Sequence, residues 1–64
     1  MKIKDLIETL FVFFASNTEA EVDGHDIDEM YCIGPHRDRM TANDIAFVEA
    51  RGWHWNSIKE RWET

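Results

Sequence analysis

Apolar residues recur through the first fifteen positions at helical spacing: Ile3, Leu6, Ile7, Leu10, Phe11 and Phe14. That rhythm predicts a helix over 3–15 with one wide apolar stripe. Lys4, Asp5, Glu8 and Thr9 fill the other face, so the stripe is expected to line the core. Phe13 falls off it. Phe13 either widens the buried face or forms an exposed contact, and burial is preferred because small domains bury the aromatics they have.

Ser16-Asn17-Thr18 stops the helix. Acidic and small apolar residues then alternate over 19–23, which predicts a half-buried strand with Ala20 and Val22 inward and Gly24 at its end. His25 to Glu29 reads as a polar loop. Residues 30–33 read as a second strand, with Tyr31 and Ile33 on one face and Met30 and Cys32 on the other. Gly34-Pro35 closes that strand, and His36 to Met40 forms a loop with basic character. Thr41 followed by Asp44 resembles a capping box and opens a second helix over about 42–51. Ile45, Phe47 and Val48 face its core side, and Gly52 is a natural stop.

The tail from Gly52 to Thr64 admits two readings. Trp53 and Trp55 can share a strand face with Trp62 returning on a partner strand, or Ser57 and Glu60 can cap a last helical turn. The hairpin is preferred, because so short a helix is weak and paired aromatics stabilise strands directly. The expected fold is therefore α+β, a single compact domain over 1–64. Its order is α-β-β-α followed by a Trp-rich β-hairpin or a short terminal helix.

Length narrows the chemistry. A 64-residue chain has a small core and little room for a cleft. Cys32 is the only cysteine, which excludes an internal disulfide and every Cys-pair zinc pattern. It has no adjacent histidine and reads as a buried strand residue. There is no Gly-rich phosphate loop. No catalytic residues and no cofactor are expected. The longest apolar run, Leu10 to Ala15, is far short of the ~20 residues a membrane span needs. A reduced, cytoplasmic setting fits best, without a membrane partner.

Charge changes the picture most. Thirteen acids face seven bases, for a net charge of −6. That balance argues against direct nucleic-acid binding and suits a basic protein patch. The acids Glu19, Glu21, Asp23, Asp26, Asp28 and Glu29 carry no Lys or Arg among them, and together they equal the whole net charge. They do not match a calcium loop, because Gly24 directly follows Asp23 where the loop needs its glycine at the sixth position. His25 with Asp23 or Asp28 could ligate zinc, though a loop histidine is usually only solvated, and no metal is expected. The segment reads either as a solvated loop or as a set of carboxylates standing in for phosphates in a basic groove. Trp53, Trp55 and Trp62 read as core, or as an aromatic interface if one remains outside.

Three stretches carry a resemblance. Lys4-Asp5-Leu6-Ile7-Glu8-Thr9-Leu10 is similar to the opening "LIE-x-L" helix of small phage-encoded accessory proteins. Thr18-Glu19-Ala20-Glu21-Val22 is similar to their "x-A-E-V" strand. Asp44-Ile45 through Gly52-Trp53-His54-Trp55 to Trp62 looks like their closing helix and Trp-rich hairpin. The resemblance implies a viral protein of the anti-CRISPR or host-takeover type, working in a bacterial cytoplasm by occupying a host surface that binds nucleic acid. Arg37, Arg39 and Arg51 depart from a strict nucleic-acid mimic by leaving a basic corner. The main expectation is an inhibitor whose residues 19–29 cover a basic groove. The alternatives are a homodimeric scaffold module using an aromatic surface and a small metal-binding module.

Overall fold

The structure, a computed structural model, describes residues 1–26 and 29–64, without the side chains of His25 and Asp26. Helix α1 spans Ile3–Ser16 and is followed by strands β1 (Glu21–Asp26) and β2 (Glu29–Ile33). A 3-10 turn at Arg37–Arg39 leads into helix α2 (Ala42–Glu49), and strands β3 (His54–Asn56) and β4 (Arg61–Glu63) complete the chain. The strands form one antiparallel sheet in the order β1-β2-β4-β3. The fold is thus α+β, and the Trp-rich tail is a hairpin and not a terminal helix.

Local chemistry explains the element limits. The Thr41 hydroxyl accepts from the Asp44 N–H at 3.1 Å and caps α2. At the other end Trp53 N–H donates to the Val48 carbonyl and Gly52 N–H to that of Glu49. With Gly52 at φ 104°, this is a Schellman turn, open to glycine without steric cost. In the β3–β4 loop, Asn56 Oδ1 accepts from the N–H groups of Ile58 and Lys59, which folds the four intervening residues without a glycine. Strand β1 does not stop at Gly24 but runs to Asp26, and β2 starts at Glu29, so His25, Asp26 and Glu29 of the expected polar loop belong to strands, and residues 27 and 28 lie outside the described residues. The pairing shifts between Gly24 and Asp26, an irregularity that lets the ladder continue past the glycine.

Cross-strand partners share a face of the sheet. Val22, Cys32, Trp62 and Trp55 form one row, and Asp23, Tyr31, Glu63 and His54 form the row on the other face. Both helices lie against the first face. Phe13 of α1 packs edge-on to Trp53, centroids 5.1 Å apart, and tilted against Trp62 at 5.6 Å. Val48 of α2 and Met40 complete the cluster, with Trp55 edge-on to Trp62 at 5.4 Å. Among the described residues no helix or strand covers the second face.

Helix α1 does not bury the stripe that its periodicity defines. Phe13 is 1% exposed and Thr9 0%, whereas Ile3, Ile7, Phe11 and Phe14 are 75%, 62%, 70% and 55% exposed. Of the stripe, only Leu6 and Leu10 pack against the core. The cause is a hydrogen bond as well as a volume. The buried Trp53 indole N–H needs an acceptor, and it donates to the Thr9 hydroxyl at 2.8 Å. That hydroxyl in turn donates to the Asp5 carbonyl at 2.7 Å. The flank bearing Thr9 and Phe13 offers both an acceptor and a ring, whereas the Ile and Phe side chains of the stripe offer no acceptor. Val22 sits on the helix-covered face as expected, in the row of Cys32, but at the β1 edge it stays half exposed.

Candidate interaction surface

The acidic segment lies along one edge of the sheet. Since β1 is an outer strand, its far side has no neighbour among the described residues. Glu21 and Asp23 are two positions apart on β1 and pair with Ile33 and Tyr31, which puts both carboxylates on the uncovered face. Both are exposed, as is Glu19 in the turn before the strand. None of these three makes an ion pair with a described residue. Glu29 is exposed at the start of β2. Asp26 ends β1, with its side chain outside what is described, and Asp28 lies outside the described residues altogether. The structure therefore gathers Glu19, Glu21, Asp23 and Glu29 at the β1–β2 side of the sheet.

The other half of the uncovered face is a closed polar network. Arg61 Nε donates to Glu63 Oε1 at 2.8 Å while its guanidinium carbon lies 3.8 Å from the Tyr31 ring centroid. Asn56 Nδ2 donates to the same Glu63 oxygen at 3.2 Å, and His54 Nε2 lies 3.6 Å from Oε2. The Arg61 hydrogen bond is the main reason the Glu63 carboxyl is held below its ordinary value, against a smaller opposing effect of burial. Arg61 and Glu63 satisfy each other, so the acids on β1 are not neutralised from this side.

The expected basic corner is divided. Arg51 donates to the Phe47 carbonyl at 3.0 Å, lies over the Phe47 ring and sits 3.9 Å from Asp5. Arg37 and Arg39 stay exposed on the 3-10 turn. Beside that turn, Ser16, Asn17, Gly34, Pro35, His36 and Arg39 line an open cleft of about 490 Å³. His36 is engaged there, its Nδ1 accepting from the Asp38 N–H and its ring edge-on to Trp55.

Of the three tryptophans proposed as core or aromatic interface, two lie in the core. Trp53 and Trp62 are 2% and 0% exposed, and both indole N–H groups are bonded, that of Trp62 to the Pro35 carbonyl at 3.0 Å. Only Trp55 is half exposed. The exposed aromatics are Phe11 and Phe14, on α1. The sequence signal for them was present: the apolar arc of α1 from Phe13 round to Phe11 spans nearly half its circumference, wider than one buried face accommodates.

Cys32 is buried, and burial pushes its thiol up to about 12, which leaves it an unreactive packing residue. Among the described residues no three His, Cys, Asp or Glu side chains converge in a way that could hold a metal ion. Zinc ligation by His25 with Asp28 falls on side chains outside the described set. Among the described residues no helix is long and apolar enough to cross a membrane. No protein-family model matches the chain, and no curated protein or solved structure is significantly similar to it.

Proposed function

We propose that the protein is a non-catalytic inhibitor that binds a host nucleic-acid-handling protein, its acidic sheet edge occupying a basic surface that otherwise holds nucleic acid. One observation carries this reading. Glu21 and Asp23 stand exposed on the open face of an edge strand, flanked by Glu19, with no described cation against them. Alternate positions of a strand are roughly 7 Å apart, so the two carboxylates present a regular negative row to a partner. Net negative charge supports solubility wherever it lies; charge gathered on one edge also gives direction to an encounter. The phage setting, a cytoplasmic site of action, and a CRISPR or transcription complex as target rest on the sequence resemblance.

The test is capture of partners from a bacterial lysate on immobilised protein, with Glu19→Lys/Glu21→Lys/Asp23→Lys as the paired bait. The reading expects a partner that the charge-reversed bait fails to hold. That partner should be released by added salt and displaced by the nucleic acid it normally binds. Capture that is indifferent both to charge reversal and to nucleic-acid competition, with the fold intact by circular dichroism, would falsify it.

A further inference from the structure

We infer that α1 is a self-association surface: its outward stripe pairs with the same stripe of a second copy, antiparallel, about a two-fold axis. The wheel of α1 places Ile3, Ile7, Phe11 and Phe14 opposite Asp5. Asp5 faces Arg51 beyond α2, and Thr9 and Phe13 face the tryptophans. The stripe is thus on the side of α1 turned away from both α2 and the aromatic core. No described residue covers it.

Area favours a protein partner over an incidental patch. At the exposures given above, the four side chains present roughly 500 Å² of apolar surface. That is a large share of the 4559 Å² surface of so small a chain. Two such stripes in contact remove roughly 1,000 Å² before flanking residues are counted, about the minimum area of a biological interface. The outward residues Ile3, Ile7, Phe11 and Phe14 follow one another at spacings of four, four and three, which keeps them on one side of the helix.

Charge selects the second copy and its direction. The α1 dipole is complemented at one end only: Asp5 lies in the first turn beside Lys2 and Lys4, whereas the last turn holds no base and Glu19 follows just beyond it. Laid antiparallel with Ile3 opposite Phe14, each helix brings Lys4 level with the last turn of its partner and towards the partner's Glu19. The partner thereby supplies the base that the last turn lacks, and the two-fold repeats the correction. A parallel pair would instead put like ends together. The net charge of −6 also disfavours an anionic lipid surface as the occupant of this face. The two surfaces share only Glu19; Ile7 and Phe11 lie outside the acidic edge of β1, so their variants test this proposal without touching the other.

Sedimentation velocity over low to high micromolar concentrations tests it. The full chain should show a monomer–dimer equilibrium. Ile7→Glu and Phe11→Glu, made separately, should each raise the dimer Kd about a hundredfold or more, with the near-ultraviolet dichroism of the buried tryptophans unchanged. Ile7→Ser provides the milder variant should a glutamate disturb folding. Lys4→Glu should raise the Kd about tenfold by setting like charges together, and adding Glu19→Lys in the same chain should restore it. A monomer at every concentration overturns the inference. So does a dimer indifferent to Ile7 and Phe11, a failure of Glu19→Lys to rescue Lys4→Glu, or a wild-type monomer that floats with phosphatidylcholine vesicles.

Discussion

Helix α1 and the C-terminal hairpin are both rich in large apolar side chains, yet they use them in opposite directions. The hairpin and the residue before it place Trp53 and Trp62 inside. The helix sends Ile3, Ile7, Phe11 and Phe14 outward and contributes Phe13 and a threonine to the core. Hydrophobicity alone does not explain the difference, since the outward stripe is as apolar as anything buried. What separates the two is the polar atom that each indole carries inward. Trp53 takes its acceptor from Thr9 and Trp62 from the Pro35 carbonyl. The orientation of α1 follows the acceptor, and the greasier flank is left facing outward.

The comparison breaks first at the rings. Trp62→Ala should cost about 3–5 kcal/mol by lost burial and an uncollapsed cavity, comparable with the whole stability of so small a domain. A urea titration followed by circular dichroism would then find the variant largely unfolded without denaturant. A smaller loss isolates the acceptor. Thr9→Val keeps the shape but orphans the Trp53 indole N–H and should lower stability by about 1–3 kcal/mol, whereas Thr9→Ser should retain most of it. Equal losses in the two variants, read by thermal melts, would mean that the hydroxyl does not orient the helix.

Cys32 sharpens the same contrast through pH. Its ordinary value is 9.0 and burial raises it to about 12. Between those values the unfolded chain has released the thiol proton and the folded one keeps it. The stability this proton represents is intact below pH 9 and is lost as pH rises from 9 towards 12, by roughly 1.4 kcal/mol per unit. Chemical denaturation at a series of alkaline pH values should show that slope, and Cys32→Ala should flatten it. The smallest effect belongs to the outward flank. Ile7→Ser, measured at a concentration where the chain is monomeric, should change unfolding free energy by no more than about 0.5 kcal/mol. A larger loss would place Ile7 among the core residues after all.

Much of the fold was legible from residue pattern. The two helices, the Thr41 cap, the Gly52 stop, the buried Cys32 and the Trp hairpin all follow from local signals that tertiary contacts reinforce. The orientation of α1 was not, because periodicity identifies an apolar arc without saying which part of a too-wide arc meets the sheet. Thr9 read as surface because a threonine's hydroxyl partner, forty-four residues away on Trp53, has no local trace. Strand β1 outran Gly24 because the irregular pairing with β2 accommodates the glycine. The acidic segment was visible as composition. Its division between the open face of β1 and the start of β2 needed the register.

The strand order β1-β2-β4-β3 sets how the molecule assembles. Each outer pair is a local hairpin, quick to close but marginal in water by itself. The sheet becomes whole only when Cys32 meets Trp62 across the middle, a contact between distant parts of the chain that must wait for a long loop to close. Trp62 is also the ring against which Phe13 packs, so the helix gains its seat at that same moment. Docking of the two hairpins is thus the sheet pairing that joins the most distant parts of the chain. Neither half holds a core without the other, and the domain is built to exist whole or not at all.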